Sequence, residues 1–371
     1  GTVREMTAIL RVLSALPRPS AAATAAGAEV FLRGLARRGL VGFHDAALFP
    51  DTARAYRELD RRGELDLDVG GSWLCDPRQG SGQVERLRRL RDSHFGERFR
   101  PRSAKIFLDG VVEAHTAFLL EPYADLPGER GRPLWEPSRF FAVVRALDRA
   151  GFQVQVHAIG DGAVRLALDA FARATEANGA RDSRHLIAHV ELVSDEDLPR
   201  FRRLGVLAVL QPQWFYRDAH SDKLLDLHLG PRRARRRFRM RGLLRAGAAV
   251  ACGSDWPVGG DFISLDPLDS IRIGLARRAL DAAPADPAYM PEERVALRDL
   301  LDGYSRIGAF AAFREGETGS LEPGKLADLT VLDRDICAEP DCAEVLATFR
   351  AGRPVFKKQV GSDPHRVHRP R

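Results

Sequence analysis

The 371-residue chain has no apolar run near the roughly 20 residues that a helix needs to cross a bilayer. Its start, GTVREMTAILRVL, lacks the basic region and long apolar core of a secretory signal, and no initiator Met opens it. The first residue is therefore expected to lie inside a longer reading frame. Four cysteines, Cys75, Cys252, Cys337 and Cys342, form no CxxC pair and no framework spacing, which points to a reduced, cytoplasmic compartment. No GxSxG elbow, P-loop or GxGxxG after a strand is present, so the serine-hydrolase, nucleotide-hydrolase and dinucleotide readings fall away. No internal repeat is visible.

The net charge of +6 has a dense contribution at Arg232–Arg241, RRARRRFRMR. Such a run could face nucleic acid. Phe238 and Met240 interleave the charges, however, and the apolar pair Leu243–Leu244 follows directly. The expectation is a solvated helix face, with no nucleic-acid partner and no membrane.

What the chain does contain is a regular alternation of strand-like and helix-like stretches. Strands are expected at Leu40–His44, Leu65–Gly70, Ala104–Leu108, Val154–His157, Leu186–His189, Val206–Gln211 and Ala248–Cys252. Their near-continuous apolar character suits parallel strands covered on both faces. Helices are expected between them. Ser138 can cap one that carries Phe140, Phe141, Val144 and Leu147 and stops at Gly151; Ala163–Glu176 forms the next; Ser194 can cap a third that stops at Gly205. This pitch means βαβ units and a parallel sheet. A closed barrel of this kind needs eight strands, and the shortage is most simply met if the first precedes Gly1. From about Glu315 turn residues and alternation around Leu326–Leu332 replace the helical period, and the end, GSDPHRVHRPR, is expected to be disordered.

Four strand ends carry chemistry. SAKIFLDG (Ser103–Gly110), FQVQVHAIG (Phe152–Gly160), RHLIAHV (Arg184–Val190) and AAVACGSDWPV (Ala248–Val258) offer Lys105, His157, His189 and Asp255. In a parallel β/α barrel these ends converge on one face. A hydrolytic metal site needs neutral imidazoles and carboxylates, with an open position for a water whose pKa the metal lowers. One such histidine alone reads as a core residue bonded to a backbone carbonyl; the set reads as metal ligands. Asp255 could bind metal, act as general base, or both. Lys105 in an apolar strand must be paired or modified: an ion pair with Asp109 or Asp161, or carbamylation into a carboxylate-like ligand. His44 could line the same face. His115, Glu121 and Tyr123 are expected on a loop over the site as substrate contacts. His185 reads as structural, and His220 and His228 lack ligand spacing. Trp214, Phe215 and Trp256 fit an aromatic substrate group or packing under the loops equally well.

The sequence also resembles the amidohydrolase superfamily, in its family-3 branch of YtcJ-like and N-substituted formamide deformylase-like proteins. The motifs, in order, are AKIFLDG with TAFLLEPYAD, VHAIGDGAVRLALDAF, HLIAHVELVSDEDLPRFRRLGVLAVLQPQW, LLRAGAAVACGSDWPV and GSLEPGKLADLTVLD, covering about Leu35 to Val355. The resemblance implies a TIM-type (β/α)8 metal-dependent hydrolase barrel, here missing its first strand (residues 1–315). The C-terminal part of a small β-sandwich and a tail would follow (316–371). It implies one or two divalent metals, usually zinc, and hydrolysis of an amide, formamide or cyclic amide. The family's strand-four lysine falls on Lys105, its strand-five and strand-six histidines on His157 and His189, and its strand-eight aspartate on Asp255. The family's strand-one His-x-His pair is not in this chain, and the Glu common before the strand-six histidine is Ala188. The chain as given is therefore expected to bind metal weakly and turn over little. A non-catalytic barrel binding a ligand or partner is the alternative. Substrate identity, metal number and oligomeric state stay open, a homo-oligomer included.

Overall fold

The computed structural model describes residues 12, 15–217, 221–258, 265–283, 285–340 and 342–359. His220 and the polar tail expected to be disordered lie outside the described residues. Seven parallel strands run in sequence order: β1 (Gly42–Leu48), β2 (Asp68–Leu74), β3 (Phe99–Phe107), β4 (Gln153–Ala158), β5 (Leu186–His189), β6 (Leu207–Leu210) and β7 (Val250–Cys252). Helices separate them, as the alternation predicts. Among the described residues no pairing joins β1 to β7, so these are the sheet's edges. No helix of the described residues is long and apolar enough to cross a membrane.

Two faces with opposite chemistry define the sheet. On β4, Val154, Val156 and Ala158 are buried under the helices, against residues such as Phe140, Val144 and Leu168. The alternate residues Gln153, Gln155 and His157 point the other way, as the two-residue period of a strand requires. That second face is concave. Ser72 on β2 donates to Gln155 Oε1 on β4 at 2.7 Å, across the intervening β3, and His44 Nε2 meets Ser72 Oγ at 2.7 Å. Only a sheet curled into a half-barrel brings strands two apart that close. Registers Lys105↔Gln155, Phe107↔His157 and Ala158↔His189 then carry the strand-end residues to one rim.

All seven expected strands exist, with shifted bounds. The second was expected at Leu65–Gly70; instead β2 starts at Asp68 and runs on through Gly70-Gly71 to Leu74. The glycine is needed there: a Cβ on Gly70 would lie 2.7 Å from His44 Nδ1. The cap expected at Ser138 is Glu136, whose side chain accepts from Arg139 N–H at 3.0 Å; Ser138 sits inside the first turn of the Pro137–Arg149 helix and bonds to that carboxylate. Ser194 Oγ accepts from Asp197 N–H ahead of the Leu198–Leu204 helix, which stops at Gly205 as expected.

The C-terminal segment forms a separate antiparallel sheet of β8 (Leu329–Leu332), β9 (Val345–Arg350) and β10 (Arg353–Lys357), ordered β10-β9-β8. It is fastened to the half-barrel by polar contacts. Arg350 grips both oxygens of Asp68 at 2.8 Å, Arg314 reaches Asp68 at 3.0 Å, and Thr348 donates to Ala36 O at 2.7 Å.

Asp148 is a comparable hub among the helices. Its carboxylate accepts from Asn178 and from Arg181, each at 2.7 Å, and faces His185 Nε2 at 3.3 Å. His185 Nδ1 accepts from Val154 N–H, so the proton resides on Nε2 and points at Asp148; this histidine is structural, as expected. Burial pushes the Asp148 carboxyl up, but the His185 and Asn178 hydrogen bonds and the Arg181 cation outweigh it and hold the group at about 2. A folded-state value below the unfolded one stabilises the fold above 3.8, and that contribution vanishes as pH falls through about 2. Asp148→Asn is expected to cost about 2 kcal/mol at neutral pH and almost nothing at the acid end. Urea unfolding across that pH range checks it.

Candidate functional site

The rim of the half-barrel gathers Lys105 from β3, His157 from β4, His189 from the end of β5 and Asp255 from just beyond β7. His157 and His189 stand edge to face with ring centroids 4.5 Å apart. Lys105 is 3% exposed, and its ammonium lies 4.9 Å from the Phe107 ring, which in turn packs on His157. His44 on β1 completes the group from the opposite edge.

Lys105 is electrostatically central to all of them. Burial depresses its pKa to about 8, against the opposing pull of the Asp255 charge. Burial, then the Lys105 charge, hold His44 at about 4 and His189 at about 3. His157 is driven well below the ordinary histidine value by burial, by His189 and by Lys105. Asp255 is raised by burial to about 6, with Lys105 opposing. The three imidazoles are therefore neutral at physiological pH, the form that ligates metals. Backbone strain concentrates in the same place: His189 has φ 80° and Asp255 φ 55°, a region that non-glycine residues enter at a cost.

Neighbouring groups orient the imidazoles. His189 Nδ1 bonds to Gln211 Oε1 at 3.0 Å, which leaves Nε2 for another partner. His157 Nε2 bonds to Gly110 O at 3.2 Å, which leaves Nδ1. Such outer contacts fix ring angle and tautomer in metal sites. The donor set, two neutral imidazoles with a carboxylate, fits a divalent metal ion.

The pairing expected between Lys105 and Asp109 or Asp161 is not made. Asp109 accepts backbone N–H groups of Phe118, Ile159 and Gly160 at 2.9–3.0 Å, and Asp161 accepts those of Leu120 and Gly162. Both acids are occupied in folding the loops, and the acid that Lys105 feels is Asp255.

The remaining expected site residues scatter. Trp214 stacks on His189 at 5.5 Å and 13°, and its indole Nε1 is buried with no acceptor among the described residues. Trp256, 45% exposed, stacks instead on Phe31 of the Ala21–Ala36 helix. Tyr123 is buried and donates to Ala117 O at 2.7 Å, while Glu121 lies on the surface against Arg232 at 3.1 Å. His115 meets Asp125 at 3.0 Å and stacks on His228. The stretch from Trp214 to Leu229 carries most of a helix, Ser221–Ala234, kinked at Gly230.

The arginine run is a solvated face only in part: Arg232 and Arg235 are exposed. Arg237, by contrast, is 6% exposed and pairs with buried Glu191 at 2.5 Å; Arg236 and Arg239 grip Asp195, and Arg233 donates to Glu121 O and Pro122 O. These guanidinium groups tie the segment before β7 to those after β5 and β3. Neither Glu191 nor Gln211 stands out in the sequence, because each acts through a contact made only in three dimensions.

A cavity of about 1280 Å³ opens between β1 and β7, walled by His44, Lys105, Gln155, Gln211 and Asp255 among others. It reaches Lys105 and Asp255 of the rim group, though not His157 or His189, and is large enough for a small-molecule substrate.

A sequence model of the Amidohydrolase family matches residues 1–356. Protein LONG AFTER FAR-RED 3 of Arabidopsis thaliana is 35% identical over 257 residues, covering 68% of this chain and 42% of the relative. N-substituted formamide deformylase of Arthrobacter pascens is 26% identical over 324 residues, covering 85% of this chain and 57% of the relative. An uncharacterized metal-dependent hydrolase from Pyrococcus furiosus superposes with TM-score 0.71 at 28% identity, over 90% of this chain and 65% of that one. The chain thus spans about half the length of the curated relatives it matches.

Asp109 holds the roof of this site, since its two oxygens fasten the segment after β3 to the turn after β4. Asp109→Ala leaves three backbone N–H groups without an acceptor and is expected to cost about 3 kcal/mol. Chemical denaturation checks the magnitude, and faster amide exchange at Phe118, Ile159 and Gly160 checks the place.

Proposed function

Because the chain belongs to the amidohydrolase family, we propose that the rim group is a metal-dependent hydrolase site for a non-peptide C–N bond in a small molecule: an amide, formamide or cyclic amide. The observation that carries this reading is the convergence of Lys105, His157, His189 and Asp255, with both imidazoles held neutral, beside a substrate-sized cavity. The similarity to the N-substituted formamide deformylase of Arthrobacter pascens supports the C–N class.

His157, His189 and Asp255 would hold the metal, with Lys105 joining them as a carbamate. When bound, a zinc-class ion supplies Lewis acidity toward the scissile carbonyl and toward water. The chain's own residues do the rest. Asp255, raised to about 6, can take a proton from the attacking water and deliver it to the departing nitrogen near neutral pH. Trp214 offers its unpartnered indole N–H to a substrate acceptor next to His189. Lys105, depressed to about 8, keeps a larger neutral amine fraction than an ordinary lysine, and the neutral amine is the form that adds CO2. The four unpaired cysteines fit a reducing, cytoplasmic setting.

A ligand-binding barrel without catalysis is the second reading. It is favoured by the spread of the rim group: among the described residues, the one set of at least three His, Cys, Asp or Glu ligand atoms within 4.8 Å of one another lies elsewhere. The open β1–β7 edge acts in the same direction, and slow turnover is expected from this chain.

The test is hydrolysis of a panel of N-formyl amines, anilides and cyclic amides by zinc-saturated protein. At least one substrate should be cleaved, chelation should stop it, and Asp255→Asn should lower the rate at least about 100-fold. Binding without cleavage across the panel would favour the second reading. Zinc uptake indifferent to His157→Asn and His189→Asn would remove the hydrolase reading. Carbamylation has its own readout: ¹³C-bicarbonate should give a carbamate resonance in the wild type and none in Lys105→Gln.

A further inference from the structure

We propose that His115, Asp125 and His228 form a second divalent-metal site of the zinc class, which fastens the helix Ser221–Ala234 to the segment after β3. It uses none of the residues assigned above to hydrolysis.

The three side chains come from distant parts of the chain and meet in one place. His115 Nε2 lies 3.0 Å from Asp125 Oδ2, His228 Nε2 lies 3.5 Å from the same oxygen, and all the ligand atoms fall within 4.8 Å of one another. Two imidazoles and a carboxylate suit a zinc-class ion better than magnesium or calcium, which prefer all-oxygen sets. Three protein ligands also leave the open position that zinc commonly fills with water.

The hydrogen-bond pattern calls for a cation. His228 Nδ1 lies 3.1 Å from Val112 O, a carbonyl that can only accept, so the Nδ1 proton is committed there. In the neutral ring the Nε2 lone pair then faces an Asp125 oxygen, acceptor against acceptor. His115 Nε2–H can satisfy Asp125 without help, but His228 cannot. A proton on His228 would repair its own contact. It would also place an imidazolium against His115, whose ring centroid is 3.8 Å away. One divalent ion among the three accepts every lone pair at once.

The surroundings sharpen the need. His228 is 4% exposed and sits in a small apolar cluster with Val112, Tyr123, Leu225 and Leu229, where an unsatisfied polar contact is costly. The His115 and Asp125 side chains are 30% and 18% exposed, which gives an ion a route in from solvent. His115 also has φ 56°, a left-handed conformation that the segment maintains at a non-glycine residue. The ion would thus join two segments that roof the strand ends. The same β3 segment begins at Gly110, whose carbonyl contacts His157.

The experiment is equilibrium dialysis of the full chain against buffered free Zn²⁺, with metal counted per chain, alongside hydrogen exchange of residues 111–125 and 223–234. Wild type should bind one zinc more than His115→Gln or Asp125→Asn, or bind it at least about 10-fold more tightly. Zinc should slow exchange in both segments of the wild type and of His189→Asn, which perturbs only the rim site. His228→Gln serves as a third variant should one of the others misfold. Equal zinc content and affinity in wild type and variants, or zinc protection of 223–234 that persists in Asp125→Asn, would overturn the proposal and leave a protonated His–Asp pair. Either result is independent of whether the rim site hydrolyses anything.

Discussion

The concave face of the half-barrel is polar, and most of the molecule is arranged to tolerate that. A parallel sheet normally buries apolar side chains on both faces. Here β2, β3 and β4 bring Ser72, Ser103, Lys105, Gln153, Gln155 and His157 inside, all less than a tenth exposed. Each must find a partner within the curl. Ser103 donates to Gln153, which donates in turn to Ala311 O and Arg184 O; Ser72 links His44 to Gln155. The curvature that makes these bonds is the same curvature that brings the strand ends together. Lys105 is the group that this network leaves for chemistry, since no ion pair or hydrogen bond claims its ammonium among the described residues.

The geometry of the rim then depends on acids that satisfy backbone amides, one of which, Asp109, also lies 3.6 Å from His157 Nε2. Asp109 and Asp161 look like site residues by position but serve loop amides, and burial pushes both carboxyls up, Asp109 to about 7, so neither neutralises Lys105. The lysine's charge consequently reaches His44, His157, His189 and Asp255, and burial amplifies each interaction because water cannot screen it. Arg237 and Glu191 show a parallel economy on the other side of His189. A buried ion pair there supports the segment after β5, where His189 and Val190 both adopt positive φ.

The strand-end residues were legible in the sequence because their signal is local: a near-continuous apolar run, then a ligand-type residue, then a turn. The seven strands and the β character after Glu315 were legible from equally local patterns. Residues whose role is set by contacts between distant segments were not. His228 has no ligand spacing along the chain, and only the kinked helix at Gly230 brings it to His115 and Asp125. Arg237 belongs to a run that looks like a solvated face, yet an isolated bridge between Leu192 and Arg237 draws it inward. Gly70 carries no mark of its role in one dimension, yet in three it leaves room for the His44 ring. Fold class survives such ambiguity because it averages over many residues, whereas a site depends on a few.

The two histidine groups present opposite electrostatics to an incoming divalent ion. At the rim the ion meets imidazoles arranged around a lysine cation, and that repulsion is large in a buried setting. At His115 and His228 it meets imidazoles arranged around the Asp125 anion. The same metal therefore has an immediate reason to enter the second group. On the two proposals above, it would enter the first only once Lys105 had lost its positive charge, by deprotonation or by becoming a carbamate. Occupancy of the roof and occupancy of the rim would then be governed by different variables, metal concentration for one and the chemical state of a single lysine for the other.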